Sequence, residues 1–133
     1  MKEKYSWFGE LISYLSEENF WSKIFLLMRG EFHGPIIDGT ERIKREMQFN
    51  NAMERSYMTF CPRGTAMTSN RFFETMSLGR VPILIAEHCA LPFQEEINYE
   101  DFCFNLNYDR FNEINRILDT GDKELRKMCK SSY

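Results

Sequence analysis

A doubly wound α/β domain is the architecture this sequence predicts, and three features predict it. Apolar runs of strand length, such as Ile24 to Met28 and Val81 to Ala86, are unbroken, as a strand covered on both faces requires. Segments with helical periodicity alternate with them. No repeat, low-complexity tract or linker-like stretch divides the chain, whose 133 residues amount to about one domain.

The elements follow in order. Phe8, Leu11, Ile12 and Leu15 fall at i, i+3, i+4 and i+7, one face of an amphipathic helix from about Ser6 to Phe20. Ile24 to Met28 is the first strand, stopped by Arg29-Gly30, and His33-Gly34-Pro35 continues as loop. Asp38 to Thr40 caps a helix that runs to about Met53, with Ile43 and Met47 facing inward. Tyr57 to Cys61 is a second strand, ended by Pro62-Arg63-Gly64. Ser69 or Thr68 caps the next helix, Arg71 to Leu78, and Gly79 stands where a left-handed terminator belongs. Val81 to Ala86 is a third strand, with Pro82 near its start, where a missing N–H is tolerated. Leu91-Pro92-Phe93 is loop and Phe102 to Leu106 a short fourth strand. Phe111, Ile114, Ile117 and Leu118 share a helical face up to Gly121, and Asp122 caps a last helix bearing Leu125, Met128 and Cys129. The result is a Rossmann-like, mostly parallel sheet of about four strands over 23–133, preceded by an N-terminal helical arm over 1–22.

Composition limits the partners. Seventeen Lys plus Arg against twenty Asp plus Glu leave a net charge of −3, so the long-range basic field of a nucleic-acid binder is missing and none is expected as a partner. No apolar run approaches the roughly 20 residues of a membrane-spanning helix, and the N-terminus has the pattern of neither a signal nor a transit peptide. Cys61, Cys89, Cys103 and Cys129 form no C-x-x-C pair, and only two histidines accompany them, so no zinc site is expected. Four reduced thiols in a cytosol-like compartment are the expectation, the alternative being a disulfide pair in a secretory lumen.

Ligands of open parallel sheets bind at the carboxyl ends of the strands. Here the first strand delivers Arg29-Gly30. The second delivers Arg63-Gly64, then Ser69, Asn70 and Arg71 at the start of a helix. Helix-terminal N–H groups, hydroxyls and arginines make an anion site suited to a diphosphate. Glu74 shares a helix face with Arg71 and is placed to accept hydrogen bonds from a ribose diol. The plain structural alternative is a surface ion pair between Arg71 and Glu74, with Ser69 only a cap.

Phe60-Cys61-Pro62-Arg63-Gly64, Ser69-x-Arg71-x-x-Glu74, Gly79-x-x-Pro82-Ile83-Leu84-Ile85, Leu91-Pro92-Phe93 and Ile97-Asn98-Tyr99-x-x-Phe102 occur in this order. Over about residues 23 to 120 the pattern resembles the C-terminal half of exostosin-type glycosyltransferases. That resemblance implies the donor-binding half of a B-fold enzyme that takes a nucleotide-sugar, commonly UDP-linked, and transfers the sugar to a glycan acceptor with inversion and without a catalytic metal or other cofactor. Carried over by motif, Arg29, Arg63, Gly64, Ser69, Asn70 and Arg71 would surround the diphosphate and Glu74 would hold the ribose. No Asp-x-Asp triplet is present, and Ala66 stands where retaining relatives place the partner glutamate of Glu74.

The acceptor-binding half lies outside the resemblance, so the chain is expected to be incomplete as a catalyst. His33 and His88, both following strands, are the weak local candidates for a catalytic base. Of the aromatic residues Tyr5, Trp7, Phe8, Tyr14, Phe20 and Trp21, some would dock an acceptor-binding domain or second subunit, the plain alternative being that they cover their own sheet. A cytoplasmic location is expected, or a Golgi lumen if the chain is part of a longer eukaryotic enzyme. The alternative function is a non-catalytic Rossmann-like nucleotide-binding or interaction module.

Overall fold

The computed structural model of the protein describes residues 9–11, 13, 38–63 and 69–132. The first strand expected at Ile24 to Met28 and most of the N-terminal arm, including its six aromatic residues, lie outside them. The first complete helix, α1 (Gly39–Glu54), begins at Asp38, whose carboxylate accepts the Thr40 N–H at 3.4 Å. Strand β1 (Met58–Pro62) leads to helix α2 (Asn70–Ser77), and β2 (Val81–Ile85) follows. A one-turn helix at Tyr99–Asp101 precedes the short β3 (Phe104–Leu106). A second such turn, Phe111–Glu113, runs into α3 (Ile114–Leu118), and α4 (Asp122–Ser131) closes the described chain.

The described sheet has three parallel strands in the order β1-β2-β3, with Phe60 opposite Ile83 and Ile83 opposite Phe104. Pro82 sits in the central strand without a lost ladder bond. Val81 N–H points to β1, donating to the Tyr57 carbonyl at 2.9 Å, and Ala86 N–H points to β3, donating to Leu106 at 3.3 Å. Even-numbered residues of β2 therefore face β3, and β3 begins opposite Ile83, one residue beyond Pro82.

All five residues of β2 are buried, and they supply two cores by alternation. Ile83 and Ile85 join Leu106, Phe111, Ile114 and Ile117 on one face, together with Leu11, where the backbone is helical. Leu84 and Ala86 join Cys61, Phe72 and Cys103 on the other. A sheet with helices packed on both faces is the doubly wound class.

Two expectations about helices need correction. Ile43 and Met47 do not face inward; they are 60% and 67% exposed. The face of α1 that meets α2 carries Phe49 and Met53, which on a helix lie about 120° around from Ile43 and Met47. Through these two residues the last turns of α1 meet α2. Asp122 does not cap α4. Gly121 occupies the cap position, its carbonyl accepting from Glu124 and Leu125 at 3.1 Å each, and Asp122 is the first helical residue.

The α2 terminus is as expected. Gly79 has φ of 62°, and the N–H groups of Gly79 and Arg80 return to the carbonyls of Met76 and Thr75 at 2.8 and 3.1 Å, a Schellman arrangement. Arg80 then donates from Nη2 to the Glu54 carbonyl at 2.6 Å, placing a cation at the carboxyl end of α1.

All four cysteines are free thiols, and burial pushes both Cys61 and Cys103 up to about 12 from an ordinary 9.0. Between those values the unfolded chain has released protons that the native chain keeps. The stabilisation is therefore complete below pH 9 and is lost as pH rises towards 12. The urea midpoint is expected to fall between pH 8.5 and about pH 11, and the fall should shrink in a Cys61→Ala, Cys103→Ala double variant. An undiminished fall in that variant would assign the effect to other groups.

Candidate functional site

The carboxyl edge of the sheet gathers the polar side chains. Arg63 continues the β1 ladder, its N–H donating to the Ile85 carbonyl at 3.0 Å, so its Cα is fixed at the strand end. Its guanidinium reaches past β2, where Nη1 donates to the His88 carbonyl at 3.3 Å. The Arg63 charge also acts on two neighbouring acids. Burial pushes the Cys89 thiol up and Arg63 pulls it back; burial likewise raises the Tyr108 hydroxyl, with Arg63 opposing the rise and Glu87 adding to it. Arg63, Glu87, His88, Cys89 and Tyr108 thus share one edge, and the His88 side chain is exposed.

Helix α2 opens onto the same edge because it follows β1 in a parallel crossover. Ser69 holds the cap position in extended backbone and is 5% exposed; its side chain makes no capping bond, and its carbonyl accepts the Phe72 N–H at 3.0 Å. Asn70 is exposed. Arg71 and Glu74 form the ion pair that an i, i+3 spacing allows, Nε to Oε2 at 3.8 Å. Arg71 also lies with its guanidinium carbon 3.7 Å from the centroid of the Phe49 ring. Its charge reaches Cys61 at the end of β1, where it opposes the rise that burial imposes on that thiol.

Of the residues expected to surround a donor, the structure joins Arg63 to the His88 backbone and Arg71 to Glu74. Arg29, Gly64 and His33 lie outside the described residues. Among the described residues no cluster of three His, Cys, Asp or Glu side chains could hold a metal ion, and no helix is long and apolar enough to cross a membrane. Two participants escaped sequence reasoning. Tyr108 lies two residues beyond β3, and the strand-end rule, applied to that strand as to the others, points to it. Phe49 is brought in from α1, and no local signal marks it.

The Leu91-Pro92-Phe93 loop is braced. Tyr99 Oη donates to the Pro92 carbonyl at 2.7 Å, and the N–H groups of Glu96 and Ile97 donate to the Phe93 carbonyl at 2.9 and 2.8 Å. Phe93 itself has φ of 54°, a conformation that a bulky side chain rarely adopts, and its ring is 70% exposed.

Comparison with known proteins decides the family. The Exostosin GT47 domain matches residues 26–120, most of the chain. The protein belongs to the exostosin GT47 family. Among its relatives, "Probable glycosyltransferase At3g07620" of Arabidopsis thaliana is 32% identical over 78 residues, 59% of this chain and 17% of that protein. "Probable glucuronosyltransferase GUT1" of Oryza sativa subsp. japonica is 32% identical over 79 residues, 58% of this chain and 19% of that protein. "Exostosin-1 homolog" of Caenorhabditis elegans is 33% identical over 81 residues, 56% of this chain and 21% of that protein. The matched stretch of this exostosin GT47 chain thus covers about a fifth of each relative. The family match over residues 26–120 includes every candidate donor residue from Arg29 to Glu74.

Proposed function

We propose that this chain is the donor-binding half of an exostosin-type glycosyltransferase that moves a sugar from a UDP-sugar to a glycan acceptor with inversion, without a metal or other cofactor. The observation that carries the reading is the arginine pair at the carboxyl edge, Arg63 at the end of β1 and Arg71 in the first turn of α2, inside a stretch matched by the family. Two guanidinium groups beside a helix start suit a diphosphate, and Glu74, one turn further along, suits the ribose diol.

In the reaction, an acceptor hydroxyl attacks the anomeric carbon from the side opposite UDP. The bond from that carbon to the β-phosphate oxygen breaks, and the electron pair leaves on the nucleotide. Arg63, Arg71 and the N–H groups at the start of α2 stabilise the charge gathering there. The hydroxyl proton passes to a base. His88, exposed at the same edge, is the described candidate within this chain, and an acceptor-binding domain is the alternative source.

Calorimetric titration with UDP tests the proposal. Binding is expected, weakened roughly ten-fold or more in Glu74→Ala, the usual scale for a hydrogen bond to a charged group. Absence of binding, or equal affinity in the variant, would count decisively against a nucleotide-sugar site here.

A further inference from the structure

Arg71 is contacted by Phe49, Glu74 and Thr75, of which Phe49 and Thr75 have no part in the donor-site reading. The Phe49 ring lies under its guanidinium at 3.7 Å. Glu74 faces its Nε at 3.8 Å. Its carbonyl accepts a hydrogen bond from Thr75 Oγ1 at 2.7 Å, and that hydroxyl oxygen stands 3.7 Å from Met53 Sδ. Phe49 and Met53 are one turn apart on α1, and Arg71 and Thr75 are one turn apart on α2, so two successive turns of each helix meet in register. The upper contact grips the arginine side chain, and the lower one anchors its backbone through the buried Thr75.

We infer that Phe49 is a positioning residue for the nucleotide site: its ring holds the Arg71 guanidinium ready for phosphate. The inference rests on the donor-site reading of Arg71. A guanidinium on a flexible side chain loses conformational freedom when it pairs with phosphate, and prior ordering reduces that loss. An aromatic face orders the planar group while leaving its in-plane N–H donors unconsumed by the contact, since cation–π attraction acts through the face. Water is excluded from that face as well, which strengthens the remaining hydrogen bonds. The Arg71 side chain is still 40% exposed, enough for a ligand to reach it.

Ile43 and Met47 of α1 are exposed, whereas Phe49 and Met53 touch the arginine and its anchor on α2.

The test uses the chain with UDP as probe and two variants, Phe49→Leu and Phe49→Tyr. Arginine Nε–Hε correlations read the stack directly, because a ring face shifts the resonance of the guanidinium above it. Wild type is expected to show a displaced arginine signal that is absent in Phe49→Leu and restored in Phe49→Tyr. UDP affinity is expected to fall roughly two- to five-fold in Phe49→Leu, the scale of a partly exposed cation–π contact, and to return in Phe49→Tyr. Unchanged affinity in Phe49→Leu overturns the inference, and so does a loss that tyrosine fails to restore, since an aromatic face would then not be what supports binding. A displaced signal in a wild-type chain that binds no UDP overturns the donor-site reading itself, and leaves the stack a purely structural contact.

Discussion

Replacing Arg71 by alanine is expected to weaken UDP binding by roughly ten- to a hundred-fold, the range for losing charge-assisted hydrogen bonds to a partly buried anion. The loss should belong to the phosphates. Affinity for uridine should therefore change little, whereas Glu74→Ala should weaken uridine and UDP alike. Arg71→Lys is expected to recover only part of the affinity, because an ammonium keeps the charge but neither the planar fork nor the stack on Phe49. Calorimetric titration of the variants with UDP and uridine makes the comparison. Equal losses for UDP and uridine in Arg71→Ala would remove Arg71 from the diphosphate and return it to the surface ion pair with Glu74.

The largest effect on stability is expected at the neighbouring position. Phe72→Ala should cost about 3–5 kcal/mol, as truncation of a fully enclosed phenyl ring does. Phe72 is fully buried, edge-on to Phe73 at 5.4 Å and tilted against Tyr99 at 6.0 Å, with Tyr99 in turn 5.3 Å from Phe102. It is the residue by which α2 closes the core of Cys61, Leu84, Ala86 and Cys103. Phe73, more than a third exposed, is the control, and its truncation should cost about 1 kcal/mol or less. Urea unfolding reads both. Similar costs for the two variants would show that α2 does not sit on the sheet through Phe72.

The sequence carried much of this architecture because the relevant signals are local. The unbroken run at Val81 to Ala86 marks a strand covered on both faces, Gly79 marks a helix end, and the Asp38 cap marks a helix start. Candidate donor residues were legible for the same reason: Arg63 follows a strand, and Arg71 and Glu74 begin a helix. The errors have a common origin. Ile43 and Met47 are apolar at helical spacing, yet they are exposed, and a different face of α1, with Phe49 and Met53, finds partners on α2. Asp122 has the chemistry of a cap, but Gly121 takes the extended backbone that a cap position needs.

The sequence by itself determined the fold class, the family resemblance and the identity of the donor-site candidates, since each depends on residue types at short, fixed separations. Tertiary structure alone decided what those candidates touch. Arg63 reaches the His88 carbonyl 25 positions away, Tyr108 comes within the field of Arg63, and Phe49 slides under Arg71. These contacts join residues from different strands and helices. Their partners are set by how the elements stack, and no spacing along the chain encodes that.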